Sequence, residues 1–257
     1  MKEIVNDLVA EQAAVDRLVA NLSAEDWARE YRYEPWNIKD SIIHIAFFDE
    51  AALKLLGGEA TDLMEISAAA EQDEYVRQVK ERNEMSPAEA LDWWRETRTR
   101  LDAALYDKNP KERVPWAPGL PMAAKSLASA RLMELWAHSV DIYDALGLPP
   151  LVEERITSTL FLSWQARPNA YRINNLPLPD APPYLELTLP SGRLWTKGEA
   201  GAADRIKGAA ADWALVAVRR RNWRDTGLTV SGEEARRFAD IVQTYAGWAD
   251  PLPPVGG

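Results

Sequence analysis

Between Ile4 and Leu146 apolar residues recur at helical spacing in long stretches separated by caps, glycines and prolines. That repeated amphipathic pattern restricts the first part of the chain to helices burying one face against each other. Ile4, Leu8, Val9, Val15, Leu18, Val19 and Leu22 form the first stripe, and Ser23 with Asp26 three residues on has the form of a new N-cap. After the turn-like Arg32-Tyr33-Glu34-Pro35, a second helix runs from Trp36 to Leu56 through Ile38, Ile42, Ile45 and Phe48 and stops at Gly57-Gly58. A more polar helix is expected from Asp62 to Glu84. Ser86-Pro87-Ala88-Glu89 is a capping box with proline at the first helical position, and it opens a helix through Leu91, Trp94, Leu101 and Leu105. Lys108 to Pro121, with its Pro115-Trp116-Ala117-Pro118-Gly119-Leu120-Pro121 run, reads as a rigid loop feeding a long helix, Met122 to Leu146, ended by Gly147 and Pro149-Pro150. The first 150 residues therefore read as a four-helix bundle.

The pattern then changes. A helix is expected from Val152 to about Ala166, and prolines at 168, 177, 179, 182 and 183 mark an irregular crossing. Tyr184 to Leu189 alternates, Pro190-Ser191-Gly192 turns, and Arg193 to Thr196 returns, which is a β-hairpin signature. Asp204 to Val218 reads as a helix weakened by Gly208; Leu228 to Gly232 followed by Glu233 to Tyr245 reads as strand, cap and helix, and Asp250 to Gly257 as a frayed tail. The fold class is thus α+β, mainly α, with a bundle over residues 1–150 and a small α+β domain over 151–257.

Composition removes several functions. The net charge of −10 and pI near 4.9 repel phosphate backbones, so nucleic acid is not an expected partner. The local basic run Arg219-Arg220-Arg221 with Arg224 suits a small anion or ordinary salt bridges better. With no cysteine, disulfides, thiolate metal sites and a cysteine nucleophile are all excluded, so thiol chemistry needs an external thiol. No window approaches the roughly 18 consecutive apolar residues of a membrane span, and Met1 leads straight into an amphipathic stretch without the pattern of a secretion signal. A cytoplasmic location is expected. A helical bundle of this size is compatible with a homodimer.

Histidine is used only twice. Glu134 and His138 stand four apart on the long fourth helix, so both side chains leave one stripe and reach a common point. His44 lies mid-way along the apolar second helix, where each ring nitrogen needs a partner or suffers a desolvation cost of a few kcal/mol. A backbone carbonyl or a metal ion would serve, and spacing alone leaves both open. Two imidazoles and one carboxylate would leave open coordination positions, as in catalytic zinc sites; iron, nickel and manganese accept the same donors. Asp40 and Phe48 flank His44 by one turn, and Arg131 and Asp141 flank the Glu134/His138 pair, positions suited either to supporting the ligands or to capping and salt bridging. Trp136 points elsewhere and reads as packing.

Several segments together resemble a known family: Trp36-Asn37-Ile38-Lys39-Asp40 through His44 and Phe48-Asp49-Glu50-Ala51-Ala52-Leu53, Pro115-Trp116 with Pro121-Met122, and Ala130 through Asp141. The chain is similar to proteins with the N-terminal domain of mycothiol-dependent maleylpyruvate isomerase, within the DinB-like superfamily of four-helix bundles. Asp204 to Gly208, Val218 to Arg221 and Asp225 to Leu228 with Gly232 resemble the C-terminal domain of a metal-binding subgroup. Pro35 stands where relatives usually have glycine, and Asn222 where some have histidine. The resemblance implies metal ligands at His44, Glu134 and His138 and an anion-holding role for Arg219, Arg220 or Arg221. It also implies a divalent ion, zinc first, with a low-molecular-weight thiol acting on an electrophilic small molecule by isomerisation or S-transfer. Metal-water hydrolysis or lyase chemistry, and ligand binding without turnover, are the other readings of the same residues.

Overall fold

The computed structural model describes residues 1–31, 36–59, 84–117 and 120–256, which divide into two compact units, Met1–Pro150 and Leu151–Gly257. In the first unit α1 spans Lys2–Val19, a short α2 Ala24–Trp27, α3 Ile38–Leu56, α4 Pro87–Tyr106 and α5 Ala124–Leu146. Both α1 and α3 pack against both α4 and α5, so each long helix has two long neighbours. Local chemistry sets the starts. Ser23 with Asp26 and Ser86 with Glu89 form the capping boxes their spacing announced, and Asn37 with Asp40 forms a third. The helix expected over 62–84 lies, apart from Glu84, outside the described residues.

The apolar faces converge on a shared core in which Leu8, Ile42, Leu55, Trp94 and Leu101 are nearly or fully closed to solvent. Each such side chain contributes roughly 1.5–3 kcal/mol of burial. Polar side chains link the helices at several points among the described residues. Between α1 and α4, Asp16 takes Arg95 at 2.7 Å and also pairs with Arg98, while Gln12 donates to Asp102 at 3.0 Å. Between α3 and α5, Arg131 Nε donates to Asp49 Oδ1 at 2.8 Å, with side chains only 7% and 5% exposed, and a second guanidinium nitrogen reaches the Ile45 carbonyl at 3.3 Å.

Residues 108–121 depart from the expected rigid loop. Arg113–Ala117 and Leu120–Ala123 are antiparallel strands β1 and β2, pairing Arg113 with Ala123 and Val114 with Met122. The prolines fit because an isolated two-stranded ribbon has only edge strands, where missing N–H donors are tolerated. The register shifts between Val114 and Ala117, consistent with proline interrupting the ladder.

In the second unit a 3₁₀ turn, Glu154–Ile156, leads into α6 Thr157–Gln165 and α7 Arg167–Ile173. Pro168 therefore does not mark a linker; it occupies the first turn of α7, where its missing N–H is no loss. The sheet has the order β4-β3-β5-β6, from β3 Tyr184–Thr188, β4 Leu194–Lys197, β5 Arg205–Ala209 and β6 Thr229–Ser231. The hairpin appears where alternation placed it. Because β4 returns the chain to the start of β3, β5 can pair with β3 in parallel on its other side without an intervening helix.

Asp204 to Val218 is accordingly not one helix. Its first half is β5, and only Ala210–Ala217 is helical, as α8. Gly208, at φ 149°, sits in the strand where an added Cβ would lie 3.0 Å from the Leu228 side chain and 3.2 Å from the Gly227 carbonyl. Its glycine serves a close backbone approach rather than weakening a helix. Helix α9, Glu233–Ile241, completes the fold, with the Asp204 carboxylate accepting the Ala235 N–H at its start. The C-terminal segment is not frayed: Gln243 accepts from the Asp250 N–H at 3.0 Å, Asn222 donates to the Pro253 carbonyl at 2.8 Å, and Asp225 accepts from Gly256 at 2.9 Å.

Two consequences are measurable. Removing one member of a buried ion pair strands the other charge, so Arg131→Met should lower unfolding free energy by about 3–5 kcal/mol in urea titrations. Asp102 is the opposite case: burial, helped by the Asp49 charge and opposed by the Gln12 hydrogen bond, raises its carboxyl to about 6. A carboxyl raised in the folded state costs stability once ionised, and that cost develops as pH climbs from about 4 through about 6. Asp102→Asn, which can still accept from Gln12, should melt above wild type at pH 7.5, with the gap closing below pH 4.

Candidate metal centre

The Asn37–Asp40 capping box fixes the start of α3, with Asn37 accepting from the Asp40 N–H and Asp40 accepting from the Asn37 N–H, each at 3.0 Å. This engages Asp40 at the helix start, the capping alternative of its two expected roles. From that anchored start His44 projects toward α5, where Glu134 and His138 occupy one stripe. One ligand atom from each of the three residues lies within 4.8 Å of the others. The structure thus brings the three side chains together.

His138 Nε2 stands 3.8 Å from Glu134 Oε2, and its other nitrogen, Nδ1, stands 3.3 Å from Asp141 Oδ2. His138 and Asp141 are both buried, while the Glu134 side chain is 25% exposed and gives the cluster a side toward solvent. Nδ1 is sealed from solvent, and the Asp141 contact is close enough for ion pairing without the alignment of a hydrogen bond. The two imidazole rings are 4.6 Å apart between centroids.

Aromatic rings enclose them. Trp36 stacks on His138 at 6.1 Å and 13° between planes and meets His44 edge-on at 5.0 Å, while Phe48 lies 4.6 Å from His44. Trp36 is the site residue that spacing missed. Expected as the first residue of the second helix, it instead precedes the Asn37 cap of a helix that starts at Ile38, and its place beside the histidines comes only from packing against α5. Trp136 is buried in α5. Arg131 braces the two ligand-bearing helices through Asp49 and touches the site through Phe48, whose ring centre is 5.9 Å from the guanidinium carbon.

The donor set suits a divalent cation. Two imidazole nitrogens and a carboxylate oxygen are the ligand types zinc takes in catalytic sites, and three protein donors leave further coordination positions open. A buried imidazole nitrogen beside a buried carboxylate is also the usual arrangement behind a ligating histidine.

The arginine run lies in the second unit. Arg219, in left-handed conformation at φ 63°, is buried and donates to the carbonyls of Asp240 at 2.9 Å, Val242 at 3.3 Å and Asp250, which ties down the C-terminal segment. Arg220 donates to Val218 O and Arg221 to Arg220 O, each at 2.8 Å. Arg224 pairs with Asp240 at 2.8 Å.

Residues 8–143, more than half of the chain and including all three donors, match the family described as the mycothiol maleylpyruvate isomerase N-terminal domain. Uncharacterized proteins of Mycobacterium tuberculosis, from strains CDC 1551 / Oshkosh and ATCC 25618 / H37Rv, are each 38% identical over 245 residues, covering 95% of both chains. Among solved structures, that of the mycothiol-dependent maleylpyruvate isomerase superposes with a TM-score of 0.58 at 16% identity, covering 89% of this chain and 92% of the other. A histidine-to-alanine mutant of that isomerase gives the same score at 15% identity and the same coverage. The fold is therefore shared at low identity, the mainly helical first part followed by an α+β part is common to both, and the chain belongs to the mycothiol maleylpyruvate isomerase N-terminal domain family.

Proposed function

We propose that this protein is a divalent-metal-dependent enzyme that directs an exogenous low-molecular-weight thiol at an electrophilic small molecule, in an isomerisation or S-transfer reaction. The observation that carries the reading is the convergence of His44, Glu134 and His138 within 4.8 Å, inside the segment that matches a family named for a thiol-dependent isomerase. His44, Glu134 and His138 would hold the ion, with zinc the first choice and nickel, iron or manganese compatible with the same donors. Once bound, the ion supplies Lewis acidity that lowers the pKa of an exogenous thiol or water by several units.

The chain's own residues do the rest. With no cysteine in the sequence, an attacking sulfur has to come from outside, and mycothiol, the thiol of the structurally similar isomerase, is the natural candidate. Trp36 and Phe48 present apolar faces beside the imidazoles, which lowers the local dielectric and strengthens electrostatic interactions at the donors. The partly exposed Glu134 lies on the side from which small molecules can approach. Arg219, Arg220 and Arg221, in the second unit, are proposed to supply positive charge for an anionic group of a small ligand, alongside the backbone carbonyls to which all three donate. A thiol-using enzyme belongs where reduced thiols accumulate, the cytoplasm. Among the described residues no helix is long and apolar enough to cross a membrane.

Two measurements test this. Elemental analysis after exhaustive dialysis should find stoichiometric divalent metal in the wild type and none in His44→Ala or Glu134→Ala, whose folds should persist because both side chains are only partly buried. Metal-loaded protein given mycothiol and maleylpyruvate should turn over substrate, and omitting thiol or metal should reduce the rate to background. Turnover without thiol would replace the proposal with metal-water chemistry. Tight binding of organic ligand with no turnover under any thiol would make the protein a binder.

A further inference from the structure

His138 lies between two carboxylates. Glu134, one turn before it, is 3.8 Å from Nε2, and Asp141, three residues after it, is 3.3 Å from Nδ1. A neutral imidazole carries one proton, so one nitrogen offers a lone pair and the other an N–H. Each carboxylate draws the proton to the nitrogen it faces. The competition is settled by distance and dielectric: Asp141 is closer, and its side chain is 3% exposed against 25% for Glu134, so solvent screens it far less. With the proton on Nε2, the lone pair on Nδ1 would face a buried negative oxygen from a position where water cannot intervene, since Nδ1 itself is closed to solvent.

We infer that Asp141 is a positioning residue: it holds the proton of His138 on Nδ1, so that the Nε2 lone pair faces the point shared with Glu134 and His44. This deepens the metal-binding reading of the same site and rests on it. The geometry comes from helix periodicity. An i, i+3 spacing places Asp141 on the same face as His138, one turn beyond it and on the opposite side from Glu134, so one stripe of α5 holds ligand, ring and orienting group in series. Carboxylate partners of this kind, acting on the far nitrogen of a ligating histidine, usually change metal affinity about 10–100-fold.

The experiment uses the full chain with ¹⁵N-labelled histidine. Two-bond ¹⁵N–¹H correlation spectra of metal-free protein, at a pH where both rings are neutral, report the tautomer of each ring; with two histidines in the chain, His44→Gln assigns them. The wild type should show His138 protonated on Nδ1, and Asp141→Asn, which matches the shape and removes the charge, should move the proton toward Nε2. In chelator competition Asp141→Asn should bind Zn²⁺ about 10–100-fold more weakly than wild type, with an unchanged circular dichroism spectrum. A wild-type His138 protonated on Nε2 overturns the inference without recourse to any variant. So does an Asp141→Asn protein whose tautomer and Zn²⁺ affinity both equal those of the wild type. Wild-type protein that takes up no Zn²⁺ overturns the metal reading and with it the positioning role, even where the tautomer is as expected.

Discussion

The ion pair between Arg131 and Asp49 governs where the donors can meet. Antiparallel helices can slide past one another by whole turns and still bury apolar faces, and only one such register brings His44 opposite Glu134 and His138. In that register Arg131 Nε reaches Asp49 and the same guanidinium closes on the Ile45 carbonyl, one residue beyond His44. A slip of one turn would move the partners about 5.4 Å apart and leave a charge stranded in the core. Relative to well-packed apolar residues, such a pair adds little net stability. Its effect lies in the penalty it places on every other register, and the candidate metal site inherits that selectivity because Arg131 precedes Glu134 by three residues on the same helix.

The electrostatics of the site follow from which groups are buried. Two carboxylates, Glu134 and Asp141, bracket one buried imidazole, and the second imidazole, His44, has aromatic rings on two sides. In water such a cluster would be screened. Here the buried Asp141 and the Trp36 and Phe48 faces keep the dielectric low around the imidazoles, while the partly exposed Glu134 remains screened by solvent on its outer side. The Arg131 charge is spent on Asp49 and does not neutralise Glu134.

Much of the helical half was legible because it is written locally. The Ser23/Asp26 and Ser86/Glu89 boxes each satisfy their own backbone, and the Glu134/His138 pair depends on nothing beyond one turn of helix. What failed to show in the sequence depends on partners far along the chain. Arg205 to Ala209 contains only one strongly apolar residue, Ile206, and runs directly into a true helix, so its strand identity exists only through pairing with Tyr184 to Thr188. The β1–β2 ribbon was masked by prolines that edge strands tolerate. The tail reads as loose because two of its anchors, Arg219 and Asn222, are side chains 31 residues from the carbonyls they hold. For the candidate site, helical spacing put Glu134 and His138 on one stripe with Asp141 beside them, whereas the approach of His44 and Trp36 depends on packing between segments far apart in the chain.

The 16% identity to a solved isomerase with a TM-score of 0.58 separates what the fold requires from what chemistry requires. Helix packing tolerates wholesale exchange of apolar residues provided volume and pattern survive, so a fold can persist while most positions change. A coordination site has no such latitude, since a ligand atom displaced by an ångström no longer binds. In this chain the rigid elements are concentrated where that precision matters: a capping box two turns before His44, a buried ion pair beside it, and a carboxylate behind His138. In the proposed reading, a site so fixed, built from three donors in a protein without a thiol of its own, would supply an electrophilic pole once a cation is bound and leave the nucleophile to be imported. Substrate choice would then depend less on the donors than on the aromatic walls around them, Trp36 and Phe48 first, because a packed wall can be reshaped without moving a ligand atom.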